Sequence, residues 1–138
     1  MNIAHLLFSF DGRIRRLHYW LAAIGLGIVE YIVQMIAVML FAGGIAAAHA
    51  GDPTGAMMAL LPIYGVVWLI FLWPGLALGV KRCHDRDKTG WFLLIGLIPI
   101  IGAIWLLVEL GFLDGTQGPN KYGPSPKGVA GPTVAPAV

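Results

Sequence analysis

Charge is scarce in this chain. Asp, Glu, Lys and Arg make up 12% of its 138 residues, about half the usual share in a soluble domain. From Leu17 to Val80 there is no Lys or Arg, and the only acids are Glu30 and Asp52. Cysteine is limited to Cys83, which excludes an internal disulfide. No internal repeat is visible.

Apolar side chains fill the space that charge leaves. They make up 58% of the residues, and the mean hydropathy is +0.79. A water-soluble fold of this length has too little interior to hide that much apolar surface, so the bilayer must be its solvent. The expected class is an all-α integral membrane protein, with residues 1–126 as one membrane domain and 127–138 as a disordered tail. Three runs are long enough to span, at about 20–42, 56–79 and 91–112. Gly43-Gly44 is expected to end or kink the first. The third is interrupted at Pro99-Ile100-Ile101-Gly102. Three spans are expected, the alternative being two spans plus a re-entrant third segment broken at Pro99–Gly102. Ala48-His49-Ala50 resembles a signal-peptide cleavage site, but the apolar region before it far exceeds the roughly 7–15 residues of a signal. Residues 1–10 are too short to span and suit an interfacial segment.

The remaining charge is concentrated. Arg13, Arg15 and Arg16 precede the first run, and Lys81, Arg82, Arg86 and Lys88 separate the second from the third. The loop between the first two runs carries no Lys or Arg. Cations flanking spans favour the cytoplasmic side, so the N-terminus and the 81–88 segment are expected in the cytoplasm of a plasma membrane. Tyr19, Trp20, Trp91 and Tyr122 sit where amphipathic rings anchor a chain at the membrane–water boundary.

Cys83-His84-Asp85 carries the right groups for a nucleophile or a metal site, but adjacent helical residues point about 100° apart and do not converge. No metal, cofactor or catalytic residue is expected, nor any nucleic-acid partner. The plainer reading has His84 and Asp85 cap the second helix or pair with Arg13, Arg15 or Arg16. Anionic lipid headgroups or a membrane partner would meet the same cluster through Arg13, Arg16, Lys81, Arg82, His84, Asp85, Arg86 and Lys88. Glu30 is a different case. It lies ten residues past Trp20, about 15 Å along a helix and near the bilayer midplane. A charge there costs at least ~2.5 kcal/mol, which implies a neutral carboxyl. It is expected to find a hydrogen bond in the broken third run, or in Gln34 and Tyr64.

Three stretches taken together resemble a known family. They are Phe10-Asp11-Gly12-Arg13 running on to Tyr19-Trp20, then Arg82-Cys83-His84-Asp85 with Thr89-Gly90-Trp91, then Gly118-Pro119-Asn120-Lys121-Tyr122-Gly123-Pro124. Their order and hydrophobic spacing are similar to the DUF805 family of small bacterial inner-membrane proteins, over about residues 8–126. Cys83 stands where the family usually has an aliphatic residue, and Phe92 where a second Trp is common. The resemblance implies an inner-membrane location and a topology class, and no activity. The expected function is a non-enzymatic small multi-pass protein that binds lipid headgroups or a partner through its basic cytoplasmic loop, the expected partners being anionic lipid and either a homo-oligomer or another membrane protein. The alternative is an oligomeric transporter or channel component using the Glu30/Gln34 face.

Overall fold

The computed structural model describes residues 2–128 and is helical throughout its regular structure. Helix α1 (Ile3–Phe8) starts at Asn2, whose side-chain oxygen accepts from the Ala4 amide at 2.9 Å. Helix α2 covers Arg16–Ala48 and α3 covers Pro53–Asp85. Each has 33 residues, or about 50 Å of rise. Both are long and apolar enough to cross a membrane. Their outer faces carry bare hydrophobic side chains such as Met39, Leu40, Leu69 and Ile70, which hydrocarbon can cover and water cannot.

The boundaries differ from expectation in two places. Gly43-Gly44 does not end α2, which continues to Ala48. Two glycines cost roughly 2 kcal/mol of helix propensity, but the flanking Ile45-Ala46-Ala47-Ala48 turn keeps the hydrogen-bond ladder going. Pro53 then occupies the first turn of α3, where its missing N–H is no loss, and Asp52 accepts from the Gly55 amide at 2.9 Å. At the other end α3 runs on through Asp85. Lys81–Asp85 is thus the last part of a helix, and only the short segment after it is a loop.

The third apolar run is not one continuous helix. It comprises a 3-10 helix at Gly90–Leu97, a short helix α4 at Ile101–Leu106 and a π-helical turn at Leu107–Phe112. Between the first two lies a tight reversal. The Ile101 amide donates to the Pro99 carbonyl at 2.7 Å, around Ile100 at φ 63° and ψ −63°. That is a γ-turn of the strained, positive-φ kind, held by a β-branched residue that rarely adopts it. The Gly102 amide donates to the Ile98 carbonyl, and α4 packs back against the 3-10 helix. Gly102 has to be glycine, because a Cβ there would collide with the Ile95 carbonyl oxygen.

The chain divides into two compact units. Residues 24–73 form one, comprising the last three-quarters of α2, the turn after it and the first two-thirds of α3. Residues up to Ala23 and from Pro74 onward form the other, which gathers every Lys and Arg of the chain. Residues 129–138, most of the tail expected to be disordered, lie outside the described residues. Lys127 lies within them, its ammonium 2.8 Å from Asp114.

Candidate functional site

Asp85 is the centre of the cation-bearing unit. It ends α3, is buried, and has both carboxylate oxygens occupied. Oδ1 accepts from Arg13 Nε at 3.1 Å, and Oδ2 accepts from Arg82 Nη1. Its backbone carbonyl accepts from the Thr116 amide at 2.8 Å and the Thr116 hydroxyl at 3.1 Å. Gly115 lies directly against the carboxylate, where a Cβ would collide.

Two guanidiniums against one carboxylate leave a buried positive excess, and backbone carbonyls meet it. Arg13 donates to the carbonyls of Gly118, Thr116 and Gly123 at 2.8, 2.8 and 3.2 Å. Arg82, fully buried, donates to the Leu110 carbonyl at 2.7 Å and to that of Leu113. A helix ends with unpaired carbonyls and a partial negative charge. Here four in a row are taken up by side chains of α2 and α3. Arg82 takes Leu110 and Leu113, Trp20 Nε1 takes Gly111 at 3.0 Å, and Arg16 takes Phe112 at 2.7 Å. At the N-terminal edge, the buried Lys81 ammonium closes the end of α1 in the same way, donating to the carbonyls of His5 and Leu6.

A second ion cluster ties the two ends of the third run together. Glu109 accepts from Arg86 at 3.0 Å and from Lys88 at 2.5 Å. Burial pushes the Glu109 carboxyl up, but the hydrogen bonds from Lys88 and Arg86 outweigh it and hold the group below its ordinary range. Lys88 also lies 4.0 Å over the Phe92 ring. At the outer edge Arg16 pairs with Asp114 at 3.1 Å, and the Lys127 hydrogen bond depresses the Asp114 carboxyl.

His84 and Asp85 point to different partners. The His84 ring stacks flat on Tyr122, 3.8 Å between centroids and 6° between planes, with Nδ1 3.3 Å from the Gly12 carbonyl. Asn120 Nδ2 donates to the His84 carbonyl and to Thr116 Oγ1, both at 2.8 Å, and its Oδ1 accepts from the Tyr122 amide. The C-terminal turn is therefore fixed through His84, and Tyr122 is half-buried against it.

Of the residues marked for headgroup or partner contact, the structure buries Arg13, Lys81, Arg82 and Asp85 and pairs them internally. Those four are removed from lipid. A charge is placed in a protein interior only with partners at hand, and the chain supplies them from as far as 110 residues away in sequence. Arg16 and Lys88 stay partly open, and Arg86 less so, with side chains 44%, 32% and 24% exposed. Trp91 stands out at 78% exposure, Tyr19 is half-buried, and Trp20 packs over Gly111 and edge-on to Phe112. Thr116 went unmarked in the sequence, and Asn120 stood only as a member of the Gly118–Pro124 stretch, with no role of its own. A lone Thr or Asn in a turn announces no partner.

Chemically the cluster is saturated. Asp85 has no free oxygen to act as a base, and Cys83 is fully buried. Among the described residues, no group of three or more His, Cys, Asp or Glu is placed to hold a metal ion. In the other unit, Glu30 and Gln34 of α2 share an open groove with Tyr64 of α3. The hydrogen bond expected of Glu30 is not formed among the described residues.

Comparison with known proteins gives the family of the chain. The signature of the family described as "Protein of unknown function (DUF805)" matches residues 7–124. Inner membrane protein YhaH of Escherichia coli (strain K12) is 34% identical over 120 residues, covering 86% of this chain and 88% of its own. Inner membrane protein YhaI of the same strain is 34% identical over 122 residues and 86% of each chain. The E. coli protein named YiiR is 32% identical over 147 residues and 89% of each chain. No solved structure matches.

Proposed function

The chain belongs to the DUF805 family and is a membrane protein with inner-membrane relatives; from that premise we propose that it acts without catalysis, as a two-span protein that holds an anionic phospholipid. The observation that supports the topology is the Glu109 pairing. Lys88 precedes the third apolar run and Glu109 lies near its end. A continuous helix would separate them by about 30 Å, yet their charged groups are 2.5 Å apart. The run enters the membrane and returns, while α2 and α3 cross it. Lipid-exposed reversal of backbone is costly, and packing of α4 against the 3-10 helix offsets part of that cost.

The N-terminal segment, the end of α3 and residues 109–127 then share one side. All nine Lys and Arg lie there with five of the seven acids, and the asymmetry favours the cytoplasm. Introduced thiols test this, because native Cys83 is buried and stays silent. An impermeant maleimide should label Ala50→Cys in intact cells, and Lys121→Cys only once the membrane is opened. Labelling of Lys121→Cys from outside overturns the orientation.

The lipid reading rests on a groove of about 560 Å³ lined by Ile101, Ile104, Trp105, Val108, Glu109 and Leu113. Its walls suit an acyl chain. Its polar end is Glu109, and on this reading the Arg86 and Lys88 paired with it turn part of their charge to the phosphate. Each cation contributes roughly 1 kcal/mol at an anionic surface. The expected result is that Arg86→Gln/Lys88→Gln lowers affinity for phosphatidylglycerol or cardiolipin by about 2 kcal/mol and leaves phosphatidylcholine unchanged. Lipid-induced thermal shifts measure both. Unchanged anionic preference in the double variant sinks the reading. An oligomeric transporter or channel component is the second reading, favoured only by the polar side chains around Glu30 and Gln34.

A further inference from the structure

Residues 24–73 carry a mainly apolar groove with polar side chains set into it at a depth where hydrocarbon is expected. It is open, with a volume of about 500 Å³, and is lined by Gly27, Glu30, Tyr31 and Gln34 of α2 and by Tyr64, Gly65 and Trp68 of α3. Glu30 and Gln34 flank the midpoint of α2, far from either end. The Glu30 side chain makes no hydrogen bond among the described residues. The Gln34 Nε2 atom is buried and also lacks a partner. At that depth neither water nor a lipid tail can satisfy them, and every unsatisfied polar group there is expensive.

We propose that this face is the contact between two copies of the chain, related by a twofold axis along the membrane normal. The polar set is complementary to itself. Glu30 and Gln34 lie one helical turn apart on one face, and a twofold axis makes each cross-contact occur twice. Turning the Gln34 carboxamide over about its terminal torsion brings Nε2 out of its buried position, where it donates to the Glu30 carboxyl of the other copy, and the reciprocal bond forms by symmetry. One carboxyl and one carboxamide per copy are enough to remove both orphans. The groove also has room for close approach. A Cβ added at Gly27 or Gly65 meets nothing within 4 Å, so a neighbouring helix can settle against bare backbone, as small residues allow in membranes. This inference is independent of the lipid reading, which uses the other unit.

The test uses the full chain in phosphatidylethanolamine–phosphatidylglycerol vesicles, with dimerisation followed by energy transfer on dilution into lipid. The parent should dimerise, and Glu30→Gln, which keeps a donor and an acceptor, should match it. Glu30→Leu/Gln34→Leu should dimerise about tenfold more weakly while keeping its helix content. Oxidation should cross-link Gly65→Cys into a dimer but not Ile70→Cys, which lies on the opposite face of α3. A monomeric parent, an undiminished double-Leu variant, or equal cross-linking at Ile70→Cys overturns the proposal. A monomer that retains a small hydrophobic molecule in the groove would overturn it as well, assigning the polar set to that molecule.

Discussion

Asp85→Ala is expected to destabilise the protein by about 4 kcal/mol, the range found when one partner of a buried ion pair is removed. Arg13 and Arg82 would remain, both buried and neither with a carboxylate. Their carbonyl partners at Thr116, Gly118, Leu110 and Leu113 cannot neutralise two charges, so the last turn of α3 and the C-terminal segment should separate. Asp85→Asn should fall between parent and Ala variant, because one amide oxygen still accepts while the compensating charge is gone. Thermal unfolding in mild detergent at neutral pH measures the series. An Asp85→Ala protein within about 1 kcal/mol of the parent would mean that the carboxylate is not structural, and attention would return to chemistry at this residue.

Gly102→Ala should cost about 3 kcal/mol, at the upper end of overpacking effects. The added methyl would meet a backbone oxygen, that of Ile95, rather than a side chain that can swing away. Relief requires the reversal itself to open, which would pull α4 off the 3-10 helix and strain the Glu109 contacts to Arg86 and Lys88. Two positions away, the sign is opposite. Ile100 holds φ 63°, and Ile100→Gly removes that steric penalty while adding chain entropy to the unfolded state, for a net gain of about 1 kcal/mol. Unfolding of both variants beside the parent decides the matter. Equal stability of Gly102→Ala and parent would show that the run does not turn back at this point.

The charge distribution illustrates how far residue identity carries. Lys81–Lys88 reads as a basic loop because four cations and two acids sit between apolar runs. Nothing in those eight letters says that Lys81 and Arg82 face inward. Their burial depends on carbonyls at Leu110 and Leu113 and at His5 and Leu6, groups every residue possesses and no sequence pattern marks. Burial of Asp85 depends likewise on Arg13, 72 residues earlier, although pairing with the first basic run was a legible option.

By itself, the sequence determined the solvent, the two long apolar helices and the side-to-side charge asymmetry, since each follows from local composition summed over about twenty residues. It also carried the family resemblance, through three short stretches that the structure brings together around Asp85 and His84. Only the tertiary structure decided the course of the third run and the fate of the cations. Trp91–Phe112 has the same hydrophobicity whether it runs straight or doubles back. The choice lies in whether Glu109 can reach Lys88 and Arg86, a contact across more than twenty residues. It also lies in whether a strained γ-turn at Ile100 is offset by what the two arms gain on packing. Such energies belong to pairs of distant groups, so they exist only once the chain has folded.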